Sequence, residues 1–273
     1  MEPGAAHPAR HYHGYLSMKR QHPRRGVTLI ELIIIIGGLL FLAALLLPIV
    51  ARLRGAASQT SSQNNLRQMG LAVHNYFAAF KKLPPGLGKA NNAEGPAHFH
   101  LLPFVEQDNL FKLAEGAAWK NGVYGKIVYT YIDQADTTRP PDNRYQGWLA
   151  TTNYAANWMV FRAGDQSLLV PDGTSNTLMF ATRYQMCNGH PTGWGYPSQY
   201  YWAPMFAYYS TAKFQVSPKQ EDCDPTVPQT VAGSQILVGF CDGSVRMLET
   251  GVSPRTWHYL CDPADGNPLD NDF

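Results

Sequence analysis

Charge is scarce in this chain. Only 15% of its 273 residues are Asp, Glu, Lys or Arg, and the net charge is +2. An ordinary globular protein carries about 25%. A disordered chain and a polybasic nucleic-acid binder are both excluded on that ground. Cysteine is sparse as well, with four residues and no Cys-x-x-Cys pair, which argues against zinc. There is no Gly-x-Ser-x-Gly, no His-Glu-x-x-His, no phosphate-binding loop and no dinucleotide-binding glycine motif. His, Asp and Ser residues occur, but no spacing singles out a triad, so the sequence points away from an enzyme and implies no cofactor.

What is abundant is apolar, and it is unevenly placed. A mean hydropathy of −0.26 is that of a soluble protein. It conceals Leu32 to Val50, nineteen residues without a charge. A helix needs about 20 apolar residues to cross a bilayer, whereas a secretory signal has a shorter apolar core of roughly 7–15. Before the run stand Arg10, Lys19, Arg20, Arg24 and Arg25, against the single acid Glu2. After it stand only Arg52 and Arg54 nearby. The positive-inside bias places the N-terminus in the cytoplasm and the rest beyond a cytoplasmic (inner) membrane crossed once. Glu31 breaks the pattern at the entrance to the run, and a carboxylate near hydrocarbon is by default a functional residue or else solvated at headgroup level.

Arg24-Arg25-Gly26-Val27-Thr28-Leu29-Ile30-Glu31 resembles the type IV prepilin processing signal. The resemblance implies cleavage after Gly26 by a prepilin peptidase, methylation of Val27 as the new N-terminus, and an assembly role for Glu31 as the fifth mature residue. The usual first mature residue is Phe, and Val27 departs from it. Glycine lets the backbone extend into a peptidase. Glu31 of one subunit could neutralise the amine of a neighbour, since paired charges cost less in lipid than lone ones. Met18 opens a compact leader, so either Met1 or Met18 serves as the start. The expected organisation is a basic leader over 1–26, a transmembrane helix over 27–51, a stalk helix over 52–82 and an extracytoplasmic head over 83–273.

In the stalk, Leu66, Met69, Val73, Phe77 and Phe80 recur at three- and four-residue steps, predicting one apolar stripe. Leu83-Pro84-Pro85-Gly86 ends the helix. Thirty of the 33 aromatics lie at or after Tyr76, and 16 of the 20 prolines follow Lys82, so the head reads as β-rich. The fold class is therefore α+β and pilin-like: a long N-terminal helix, membrane-spanning in its first half, packed on an antiparallel β-rich head. Leu101 to Gln107 reads as a short helix or loop, and Thr137 to Tyr145 as a loop. Asp172-Gly173 and Asp242-Gly243 each precede apolar segments and read as hairpin turns rather than as metal or catalytic acids.

Ser62 to Tyr76, with Leu83 to Gly86, Leu101 to Gln107, Thr152 to Asn157, Asp172 to Thr177 and Asp242 to Arg246, resembles a prepilin-like family called domain of unknown function 1559. That family bears a C-terminal H-x9-DG motif, whose DG is Asp242-Gly243 here. Its His position is Ala232. The family's Cys-Pro-Ser-Asp has its counterpart in Asp133-Gln134-Ala135-Asp136. The resemblance implies a structural subunit of an envelope filament or a type II secretion-like apparatus, partnered with itself or other pilin-like subunits and not with nucleic acid. A non-assembling anchored protein that binds glycans or protein is the alternative, and an anchored enzyme the third.

Cys187, Cys223, Cys241 and Cys261 all fall in the head, where an even count suggests two disulfides, with free buried thiols as the other reading. His98 and His100 would share a face in a strand, too few for a metal site. Glu221, Asp222 and Asp224 form an acidic loop that either is solvated or takes calcium. Trp194 to Tyr209 holds eight aromatics in sixteen residues, either packed or exposed as a binding surface.

Overall fold

The computed structural model describes residues 28–162, 170–196, 201–270 and 272–273. The chain divides into two units, Met1–Val50 and Ala51–Phe273. Helix α1 (Leu29–Phe80) starts in the first and ends in the second.

In the first unit, Leu29–Leu47 has a mean hydropathy of 2.8 and no part of it is buried. A helix with apolar side chains on every side belongs either in a core or in lipid. Length and composition make this segment able to cross a membrane or to act as a signal sequence.

In the second unit α1 obeys the opposite rule. Leu66, Met69, Ala72, Val73 and Tyr76 are buried in the head, while Leu71 stays exposed. The buried stripe therefore drifts from the expected one. Tyr76 takes the place of Phe77, and Phe80 is exposed but packs its ring 4.7 Å from Tyr76. The helix stops at Phe80, two residues before the expected Lys82. Lys81 takes a left-handed φ of 58° and donates its N–H to Phe77 O at 2.7 Å, the hydrogen bond of a left-handed helix cap.

The head follows with β1 (Leu87–Ala90) and β2 (Ala93–Pro96), a hairpin turning on Asn91 and Asn92 at positive φ. Next come α2 (Ala97–Leu101), a 3₁₀ turn over Leu102–Phe104 and α3 (Asp108–Leu113). β3 (Arg144–Tyr145) pairs with β4 (Leu149–Ala150). β5 (Tyr154–Asn157) leads into α4 (Trp158–Phe161), which the Asn157 side chain caps. After β6 (Leu178–Thr182) come β7 (Met186–Cys187), β8 (His190–Pro191), β9 (Met205–Phe206), β10 (Ile236–Phe240), β11 (Val245–Leu248) and α5 (Pro254–Cys261).

One five-stranded sheet organises these pieces in the order β11-β10-β6-β5-β9. Its pairs are antiparallel except β5 with β9, which run parallel. The sheet has two covered faces. Tyr154, Ala156, Met179, Phe180 and Leu237 join the cluster that holds Leu66, Met69 and Val73 of α1. Ala155, Leu178, Ala181, Ile236, Val238 and Phe240 join a second cluster with Trp257 and Leu260 of α5. Met179 and Phe180 fall on the same face because the β10–β6 register shifts between Gly239 and Phe240, leaving one unmatched residue in β6.

Candidate functional site

Gly26 and Val27, the expected processing residues, lie outside the described residues. Glu31 is described, and its carboxylate is already engaged. Its Oε2 accepts the Thr28 N–H and the Thr28 hydroxyl, both at 2.8 Å. The Glu31 N–H in turn donates to Thr28 Oγ1 at 3.3 Å. Thr28 and Glu31 thus form a reciprocal capping box, closing two backbone donors that a helix start leaves open. The Thr-x-x-Glu spacing is a readable signature of such a start, and it was not among the expectations drawn from the sequence.

The two Asp-Gly segments meet in space. Cys241 N–H donates to Thr177 O at 2.9 Å, and Asp242 N–H to Thr174 O at 3.0 Å. Asp242 spends its Oδ1 on the Ser244 N–H at 2.8 Å, and Gly243 has φ 82°, as a turn between β10 and β11 requires. This turn lies against α1. A Cβ on Gly70 would stand 3.4 Å from the Gly243 Cα, at van der Waals contact, so the turn packs directly on the helix. Asp172 accepts the Asp265 and Gly266 N–H groups at 2.8 and 3.0 Å, tying down the C-terminal segment. Gly173 is a turn entering β6, and residues 163–169 before it lie outside the described residues. Both aspartates are turn and tether residues.

One disulfide forms instead of the two expected. Cys187 and Cys223 are bonded, with Cα atoms 5.5 Å apart. Cys241 and Cys261 are free and buried. Cys241 lies in the apolar cluster with α1 and Cys261 in the one with α5. Burial pushes the Cys241 thiol up to about 12 and raises that of Cys261 too, so neither is a nucleophile at neutral pH.

His98 and His100 sit in helix α2, not in a strand. Each turns Nε2 to a backbone carbonyl, His98 to Tyr154 O at 2.8 Å and His100 to Gly88 O at 3.1 Å. Desolvation lowers His98 to about 4 and also lowers His100. They are neutral core donors. Asp224 Oδ1 accepts the Thr226 N–H and hydroxyl, at 2.8 and 2.7 Å. Among the described residues no three His, Cys, Asp or Glu side chains gather as metal ligands. In the aromatic segment, Trp194 and Phe206 are buried while Tyr201 and Tyr209 are exposed. Trp202 packs its ring among Tyr145, Trp148 and Tyr196.

Asp133-Gln134-Ala135-Asp136 contributes a buried polar centre. Asp136 accepts four hydrogen bonds, from Asn153 Nδ2, Gln185 N–H, Thr138 N–H and the Thr138 hydroxyl, all at 2.7–2.8 Å. Asp133 accepts the Ala135 N–H at 2.8 Å, with the Ser62 hydroxyl beside it. Desolvation raises the Asp133 carboxyl above the usual carboxylate range, and the charge of Asp136 adds to the effect. Asp133 lies on a cleft of about 410 Å³ whose other walls include Gln59, Ser62, Ala232, Leu237 and Met247. Ala232, the position of the absent motif His, stands exposed on its rim. No single stretch of sequence announces this cleft, because its walls come from separate segments.

Residues 51–123 match a family described as protein of unknown function (DUF1559). The DUF1559 match takes in the buried half of α1 and the head as far as Val123. It covers neither Thr28 and Glu31 nor the Asp242-Gly243 turn. No curated protein and no solved structure matches the chain.

Proposed function

We propose that this chain is a pilin-like or pseudopilin-like structural subunit. It is anchored in the cytoplasmic membrane with its N-terminus inside, cut after Gly26 by a prepilin peptidase, and assembled through α1 with itself or other pilin-like subunits. The role is structural rather than enzymatic, within an envelope filament or a secretion-type apparatus. The observation that carries this reading is the conjunction at the start of α1. A wholly exposed apolar helix, Leu29–Leu47, begins at an acid-capped turn directly after Arg24-Arg25-Gly26-Val27. The DUF1559 match and the α+β head support it.

Mass spectrometry of the membrane-extracted protein should find Val27 as the N-terminus, methylated. An intact leader would overturn the processing claim. The capping box also sharpens the assembly test. Glu31→Gln keeps a side chain that can accept the Thr28 N–H but removes the charge. If Glu31 pairs with a neighbouring amine, Glu31→Gln and Glu31→Ala both abolish cross-linked oligomers while the protein still inserts. If Glu31 serves only as a cap, Glu31→Gln assembles normally.

The second reading is an anchored binding protein that does not assemble. The partly exposed rings of Tyr201, Tyr209 and Trp148 favour it, since exposed aromatics offer flat faces to sugars or partner proteins. Persistence of monomers in the membrane together with glycan binding would select this reading.

A further inference from the structure

Five places in the chain set an Asn or Asp before a glycine: Asn121-Gly122, Asp172-Gly173, Asn188-Gly189, Asp242-Gly243 and Asp265-Gly266. A glycine nitrogen has no side chain beside it to hinder attack on the preceding side-chain carbonyl. Four of the five pairs are tied down. Gly173 donates its N–H to Val170 O at 2.9 Å, Gly243 to Phe240 O at 3.0 Å and Gly266 to Asp172 Oδ1 at 3.0 Å. Their aspartates accept further backbone N–H groups, from Asp265, Ser244 and Asn267, each at 2.8 Å. Asn121 donates Nδ2 to Leu113 O, also at 2.8 Å. Asn188-Gly189 differs. It is the two-residue turn between β7 and β8, with φ of 47° and 76°, and both residues are exposed. Among the described residues neither the Asn188 side chain nor the Gly189 N–H has a hydrogen-bond partner. A Cβ on Gly189 would meet nothing within 4 Å. A two-residue hairpin turn with positive φ at both positions favours Asn-Gly, so the dipeptide that closes the hairpin is also the reactive one.

We propose that Asn188 is a modification site, the position at which the folded head deamidates without an enzyme. The Gly189 nitrogen gives up its proton to solvent hydroxide and attacks Asn188 Cγ. The new N–Cγ bond closes a succinimide ring, the Cγ–Nδ2 bond breaks, and Nδ2 leaves as ammonia after taking a proton from water. Water then opens the ring at either carbonyl, which leaves aspartate or isoaspartate at position 188. Neither step needs an oxidant or a reductant. Both products place a carboxylate where the Asn188 N–H meets Gln220 O at 2.7 Å, beside the exposed acids Glu221 and Asp222. The isoaspartate product also adds a backbone carbon to the tightest part of the hairpin. The Cys187–Cys223 disulfide starts at the residue before Asn188 and holds β7 to that acidic loop, so the modified turn stays attached to the head.

The test is to age the full chain in detergent micelles at mildly alkaline pH and follow each Asn-Gly pair by peptide mass spectrometry, reading the gain in mass from amide to acid. A parallel sample is aged in guanidinium with the disulfide reduced. In the folded chain position 188 should convert at least about fivefold faster than position 121, whose side chain must first break a hydrogen bond. In guanidinium both are released and the two rates should converge. Asn188→Gln should abolish the mass gain in the hairpin peptide, because the longer side chain has to close a larger ring. No conversion at 188, equal rates at 188 and 121 in the folded chain, or a preference for 188 that is the same size in guanidinium would each overturn the proposal. So would a mass gain in the hairpin peptide that survives Asn188→Gln. The guanidinium comparison uses the unaltered sequence, so it decides the matter even if the variant does not fold.

Discussion

Helix α1 contains two stretches that obey opposite rules. Between Leu29 and Leu47 large apolar side chains are exposed all round, Leu29 at 76% and Leu47 at 69%. Between Leu66 and Tyr76 apolar side chains occupy one stripe and are buried, while Leu71 on the other side is exposed. Helical conformation is shared, so it carries no information about environment. The distribution of apolar residues around the axis does. An all-round apolar surface demands a solvent without water, and a stripe demands a protein core.

The strongest way to break this comparison is to remove the same atoms from each stretch. Leu66→Ala should lower the unfolding stability of the head by about 3–4 kcal/mol, from lost transfer energy and the cavity left behind. Leu42→Ala should leave head stability unchanged. Guanidinium unfolding of the full chain in detergent, followed by tryptophan fluorescence, measures both. Equal losses would show that the two stretches do not differ as described.

A smaller effect comes from the polar groups that the buried stretch organises around it. His98 stays neutral in the folded head down to about pH 4, while the unfolded chain protonates it near 6.5. Between those values the unfolded state binds the extra proton, so stability is full above 6.5 and falls as the pH drops towards 4. The loss approaches about 3 kcal/mol over that window. His100 is shifted in the same direction. His98→Gln, which retains a donor for Tyr154 O, should flatten most of the slope in unfolding measured against pH. A slope unchanged by that substitution would assign the acid sensitivity elsewhere.

The smallest effect should appear at the start of α1. Thr28→Ala removes one half of the capping box and should cost about 1 kcal/mol locally. Hydrogen exchange at Ile30 and Glu31 should speed up while the head amides keep their rates. Faster exchange in the head would mean that the two stretches respond as one.

Much of this was legible in the sequence. The charge-free run, the helix through Leu66 to Val73 and the β10–β11 hairpin around Asp242-Gly243 follow from composition, periodicity and turn chemistry. The sheet interior does not. β5, β6 and β10 are buried at every residue because both faces are covered, so no alternation marks which side faces α1 and which faces α5. The parallel pairing of β9 joins β5 to a strand far along the chain, through segments with no periodic signal. The cysteine pairing is hidden for another reason: Cys187 and Cys223 meet in a small separate cluster away from the five-stranded sheet. The cleft is hidden too, because its Ser62 and Asp133 come together only when α1 and the segment after Ile132 are laid side by side.

The strand order has a consequence for the timing of folding. β10 lies between β11 and β6 and supplies side chains to both apolar clusters, yet it begins only at Ile236. Until that strand arrives, β6 has a bare edge, and Leu178 and Ala181 lack the cover that α5 brings. Folding of the head must wait for nearly the whole chain, so a nascent molecule stays unfinished until β10 has been made. Truncation just before Ile236 would not trim this domain; it would hold it permanently in that unfinished state.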